Sequence, residues 1–127
     1  MIHRGRMREE TLERVLSYGE RVLRLADELQ NGQRPRRVID QIIGSGTSVG
    51  AQIYEAHEAM SRADYLKSLS IAAKELSETR YWLLLVTRMN WVSEHRVQSL
   101  LEETSELTSI TKAIISRCRK KLKQPKT

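Results

Sequence analysis

Apolar and small residues recur along this chain at spacings of three and four, in four blocks parted by short polar breaks. That period lines one face of an α-helix. The first block covers about 8–30, with Leu12, Val15, Leu16, Gly19, Val22, Leu23, Ala26 and Leu29 in phase. Asn31-Gly32 closes it, because both residues tolerate the left-handed backbone of a helix C-cap. The second covers about 36–57 and starts beside Pro35, which suits a first helical turn. There Val38, Ile42, Ser45, Val49, Ile53 and Ala56 share one face, and Ile39, Ile43, Gly46, Gly50 and Tyr54 an adjacent one.

The third block covers about 62–89, with Ser61 as N-cap and Tyr65, Leu66, Leu69, Ala72, Ala73, Leu76, Leu83 and Val86 as its stripe. The fourth covers about 94–122, capped by Ser93, with Val97, Leu100, Leu101, Thr104, Leu107, Ile110, Ile114, Cys118 and Leu122 in phase. Short links between long helices make neighbours antiparallel. The expected fold is all-α: one domain, 1–127, folded as an up-down-up-down four-helix bundle.

Two stretches ask for more than a bundle. Gly44 to Gly50 is rich in glycine and serine, and reads either as a phosphate-cradling loop or as a helix built for close approach. A phosphate loop needs a Lys-Ser/Thr pair after its last glycine, but Ala51-Gln52 stands there. The helical phase also runs through the glycines unbroken, which favours the close-packed helix. Tyr81 to Val86 is apolar on all sides. Such a segment is normally buried all round, so it marks either a subunit interface or extra burial under the Asn90-Trp91 turn. The expected oligomer surface combines Ile39, Ile43, Gly46, Gly50 and Tyr54 with Tyr81, Trp82 and Leu85.

Charge adds a partner class. The net charge is +6, and Arg117, Arg119, Lys120, Lys121, Lys123 and Lys126 all fall in the tail, 117–127, which holds no acid. Arg4, Arg6 and Arg8 cluster near the N-terminus, and Arg34, Arg36 and Arg37 near the second helix. Such clusters suit polyanions, or else simply solvate helix ends. Arg34, Arg36, Arg37, Arg117, Arg119, Lys120, Lys121 and Lys123 are the candidate nucleic-acid contacts.

Nothing points to catalysis. The Glu-x-x-His pairs of di-iron bundles are absent, zinc-ligand spacing is absent, and Cys118 has no evident catalytic partner. The expectation is a non-enzyme without cofactor or metal. Glu55 stands out as a carboxylate on a helix of small and apolar residues, and is either a plain surface glutamate or a buried group needing a partner. A lone cysteine, no apolar run of membrane-spanning length and no signal-peptide core suit a cytoplasmic protein off the membrane.

Gln41-Ile42, Ser48-Val49, Gln52-Ile53, Glu55, Ser61, Tyr65-Leu66, Ile71-Ala72 and Glu75-Leu76 stand in an order and spacing that carries a resemblance. Across roughly 36–90 the chain resembles the four-helix-bundle proteins called 23S ribosomal RNA intervening-sequence proteins. The resemblance implies rings, typically homopentamers, and related bundles are accessory proteins of diversity-generating retroelements. It therefore implies RNA or DNA and a reverse transcriptase as partners. The chain departs from the family pattern at Ile43-Gly44, where the family has an arginine pair, and at Gly50, Gln52 and Ala56. The expected function is a non-catalytic, ring-forming bundle that binds nucleic-acid phosphates. The alternative is a protein–protein adaptor with little nucleic-acid affinity.

Overall fold

The structure is a computed structural model and describes residues 7–123, with side chains to 121. The side chains of Leu122 and Lys123, and Arg4, Arg6 and Lys126, lie outside that description. Four helices follow one another: α1 (Glu9–Asn31), α2 (Arg36–His57), α3 (Arg62–Arg88) and α4 (Glu94–Lys123). Each packs on its neighbour in sequence, and α1 closes the square against α4 through a sparser seam. The backbones of the diagonal pairs stay apart among the described residues. This is the expected antiparallel four-helix bundle.

Local chemistry sets the ends. Ser61 Oγ accepts the Asp64 amide N–H at 3.1 Å, satisfying one of the orphan donors at the start of α3. Beyond α1, the left-handed residue is Gln33, at φ 56°, and not Asn31 or Gly32; Gly32 has φ −82°. The chain goes one residue further before reversing because the Gly32 and Gln33 amides still bond to Glu28 and Gln30 carbonyls. Asn90, at φ 59°, turns the chain from α3 to α4.

α2 runs through Gly44, Gly46 and Gly50 without a break, so the stretch is a close-packing helix. A Cβ on Gly46 would lie 2.5 Å from Val22 Cγ1. On Gly50 it would lie 3.3 Å from the Val15 carbonyl oxygen. Two of the three glycines thus let α1 and α2 approach nearly backbone to backbone.

The core is Leu, Ile, Val and Ala, with Tyr18 its largest fully buried side chain. α1 is rotated from the expected phase. Val15, Tyr18, Val22, Leu25 and Leu29 face inward, while Leu16 and Leu23 are 53 % and 45 % exposed. α4 departs at its end, where Thr111 and Ile115 are buried and Ile110 and Ile114 only partly so. Cys118 is buried.

A layer of hydroxyls crosses this apolar core. Tyr18 Oη is 2.7 Å from Thr104 Oγ1, and Thr79 Oγ1 is 3.0 Å from Ser45 Oγ. All four helices contribute one member, and all four residues are buried. No buried side-chain polar atom among the described residues lacks a partner.

The α1–α4 seam is polar on its outer edge. Arg14 Nε and Nη2 donate to Glu103 at 3.0 and 2.7 Å, and Nη2 also to Glu106 at 2.7 Å. Arg21 donates to Ser99 at 2.8 Å, and Arg96 pairs with Glu28 at 3.0 Å. The hydrogen bond from Arg14 holds the Glu103 carboxyl below its ordinary range, and the same bond raises Arg14. No helix among the described residues is long and apolar enough to cross a membrane.

Candidate nucleic-acid interface

Antiparallel packing sends α1 and α3 off from the end of the bundle where α2 and α4 finish. A hydrogen bond marks that end: the Met7 amide donates to His57 Nδ1 at 3.0 Å, joining the start of α1 to the last turn of α2. Between the first turns of α1 and α3 and the last turns of α4 lies a cleft of about 550 Å³. Its floor is apolar, made of Met7, Tyr65, Ile110, Ile114 and Cys118. Its rim carries Arg8, Arg62, Arg117 and Lys121, all exposed. Glu10 is the carboxylate on the rim, 3.8 Å from Arg8.

The helix plan explains this gathering. α4 ends in a run of cations whose spacing fans them around the helix, so Arg117 and Lys121, four apart, share one side. Arg119 and Lys120 fall on the other, beside Lys112 and Ser116 in a shallow groove against α3. The bundle then brings Arg8 and Arg62 to the first side from two other helices. Four cations around a low-dielectric floor concentrate positive potential.

Arg34, Arg36 and Arg37 belong elsewhere. They stand at the opposite end, about 35 Å away along α4 at the rise of an α-helix. Arg36 and Arg37 are exposed, but the Arg34 guanidinium lies over Trp91 at 5.3 Å from the ring centroid and packs the α1–α2 link on the α3–α4 link. The expected contacts therefore form two separate basic ends. Arg8 and Arg62 join the tail end through folding alone, since sequence places them far from it.

The expected oligomer surface also divides. Ile39 is 4 % exposed, and Gly46 is packed on Val22, so both belong to the chain's own core and are not open to a second subunit. Ile43 is half-buried. Gly50 and Tyr54 line an apolar groove of about 390 Å³ between α1 and α2, with Leu16, Leu23 and Ala51. Tyr81 is 56 % exposed and packs edge-on against Trp82 at 5.0 Å. Trp82 and Leu85 are half-buried, and Trp82 Nε1 donates to Glu78 at 3.1 Å. Leu84, 43 % exposed, extends this second apolar patch on α3. The Asn90-Trp91 turn does not cover it. Glu55 is exposed on α2, so it needs no buried partner.

No group of three metal-ligating side chains gathers among the described residues. A family model described as 23S rRNA-intervening sequence protein matches residues 10–113. A crystal structure of a protein of unknown function from the S23 ribosomal protein family of Bacteroides thetaiotaomicron is similar, at 36 % identity and a TM-score of 0.80. The similarity covers 83 % of this chain and 97 % of that one. Comparison with curated proteins gives no match.

Proposed function

Because this chain belongs to the 23S rRNA-intervening sequence protein family, we propose that it is a non-catalytic, oligomeric bundle that holds RNA or DNA by its phosphates. The observation that carries the reading is the cleft rimmed by Arg8, Arg62, Arg117 and Lys121. These cations come from three helices, so the fold and not a single basic run creates the site. Binding through phosphates is salt-dependent and carries little sequence preference.

Two apolar patches support the oligomer. The Leu16–Leu23–Tyr54 groove lies between α1 and α2, while Tyr81 and Leu84 lie on a different side, on α3. Two unlike patches on different sides suit a head-to-tail contact, which closes into a ring when the rotation closes. A pentamer is the ring the family resemblance suggests. In the second reading, the same patches take a different protein, such as a reverse transcriptase, and the cations orient that partner.

Fluorescence anisotropy with labelled RNA and DNA over a salt series tests the first reading. Affinity should fall steeply with salt, and the double variant Arg117→Ala/Lys121→Ala should weaken binding and reduce the salt slope by about two, one per lost phosphate contact. Arg36→Ala/Arg37→Ala should change little. Absence of binding at about 50 mM salt, where phosphate contacts are strong, would sink the proposal.

A further inference from the structure

We propose that the cationic cleft takes an unpaired nucleotide from a single strand, with the phosphate on the rim and the base on the apolar floor. The inference rests on the nucleic-acid reading above and names the form of nucleic acid that fits. A surface that reads only duplex backbone has no use for an apolar depression between its cations. Here Ile110 and Ile114 lie half-buried beneath Arg8, Arg62, Arg117 and Lys121, with Met7 and Tyr65 almost wholly buried beside them. The volume of about 550 Å³ falls within the range that encloses a small organic ligand, and so accommodates a nucleotide.

Geometry then excludes the duplex from the floor. In a duplex the bases are stacked inside and the backbone presents a convex, polar surface. Only an unpaired base, at a strand end, a loop or a bulge, has an apolar face free to enter a depression. Tyr65 is 7 % exposed, which leaves too little of its ring open for stacking, so the base is held by aliphatic contact and not between aromatic planes. Glu10 opposes the phosphate, and its pairing with Arg8 at 3.8 Å reduces that opposition.

Duplex carries the denser charge, so simple electrostatics predicts tighter duplex binding. The expected result is the reverse. At about 150 mM salt a short single-stranded RNA should bind about tenfold more tightly than the blunt duplex formed from it, the difference that burying on the order of 60 Å² of apolar base surface supplies. Ala113 is exposed on the cleft wall, so Ala113→Trp fills the cleft with little strain on the fold. That variant should abolish the single-strand preference and leave duplex affinity unchanged. Glu10→Gln should tighten both. Equal or tighter duplex binding, unaffected by Ala113→Trp, would overturn the inference while leaving the phosphate-binding reading in place. Failure to bind either form at low salt would remove both. A poly-glutamate peptide that outcompetes the single strand at equal charge would also overturn it, in favour of an acidic protein ligand.

Discussion

Tyr18 Oη lies 2.7 Å from Thr104 Oγ1 and joins α1 to α4 inside the bundle. A threonine hydroxyl has one proton, and that of Thr104 goes to the Leu100 carbonyl at 2.8 Å. Tyr18 is therefore the donor. All four residues of the hydroxyl layer are buried, so the bond has no water to replace it. Such a layer disfavours any slide of one helix along another, because a slipped register strands a buried hydroxyl.

Tyr18→Phe keeps the ring and removes only the donor. It should lower the unfolding free energy by about 1 kcal/mol, the net worth of a typical hydrogen bond. Urea denaturation measures this. Tyr18→Phe combined with Thr104→Val should cost less than the two single changes together, since the pair then leaves with neither partner stranded. Full additivity would show that the bond contributes nothing.

The same hydroxyl makes stability depend on high pH. Burial pushes the Tyr18 hydroxyl up to about 12. In the unfolded chain it ionises near pH 10. The folded state binds this proton more tightly, so the contribution is complete below about pH 10 and is lost as pH climbs towards 12. Two units correspond to at most about 3 kcal/mol. Denaturation midpoints between pH 9 and 11.5, on the order of this window, should fall more steeply for the parent than for Tyr18→Phe. Parallel curves would contradict the assignment.

Glycines in the first two helices should divide by what faces them. Gly46→Ala puts a methyl 2.5 Å from Val22 Cγ1, and valine is stiff at χ1, so the helices must move apart. The expected loss is about 2 kcal/mol, an overpacking cost, with partial recovery when Val22→Ala is added. Gly19 and Gly44 meet nothing within 4 Å. Alanine there should raise stability by about 0.5–1 kcal/mol through helix propensity. Thermal melts of the three variants decide it, and equal effects at all three would refute the close-approach account.

The helices, their order and the passage of α2 through its glycines were legible in the sequence, because each depends on local period and caps. The inward face of α1 was not. Leu16 and Leu23 flank the Val15–Val22–Leu29 row on one edge and Tyr18 and Leu25 flank it on the other, so the period alone suits either pair. What chose between them is distant: Thr104 receives the Tyr18 hydroxyl, and Gly46 admits Val22. The candidate site was half legible. Arg117 and Lys121 stood out as a run, but Arg8 and Arg62 join them only through the topology. Arg34 looked like its neighbours Arg36 and Arg37, and only the placement of Trp91 gives it structural work.

The apolar patches predict an assembly with a testable handedness of contact. Leu23→Lys disables the α1–α2 groove and Leu84→Lys the α3 ridge, and both residues are exposed enough to accept lysine. Each variant alone should lose the oligomer in light scattering. Mixed together they should recover a dimer and nothing larger, because the one intact groove meets the one intact ridge. A parent protein that stays monomeric at micromolar concentration would defeat the prediction.

The sparse α1–α4 seam also bears on how the chain folds and breathes. Every other packed pair joins helices adjacent in sequence, so most of the bundle zips up as local hairpins, and such topologies fold fast. Closing α1 on α4 is the one long-range step, and polar bonds such as Arg14–Glu103 supply much of its outer edge. Amide exchange in the first turns of α1 and the last turns of α4 should accordingly run ahead of global unfolding. The cationic cleft sits where those turns meet. A strand seated there would act as a clasp across the joint that opens first, and its occupancy would register as slowed exchange at both helix ends.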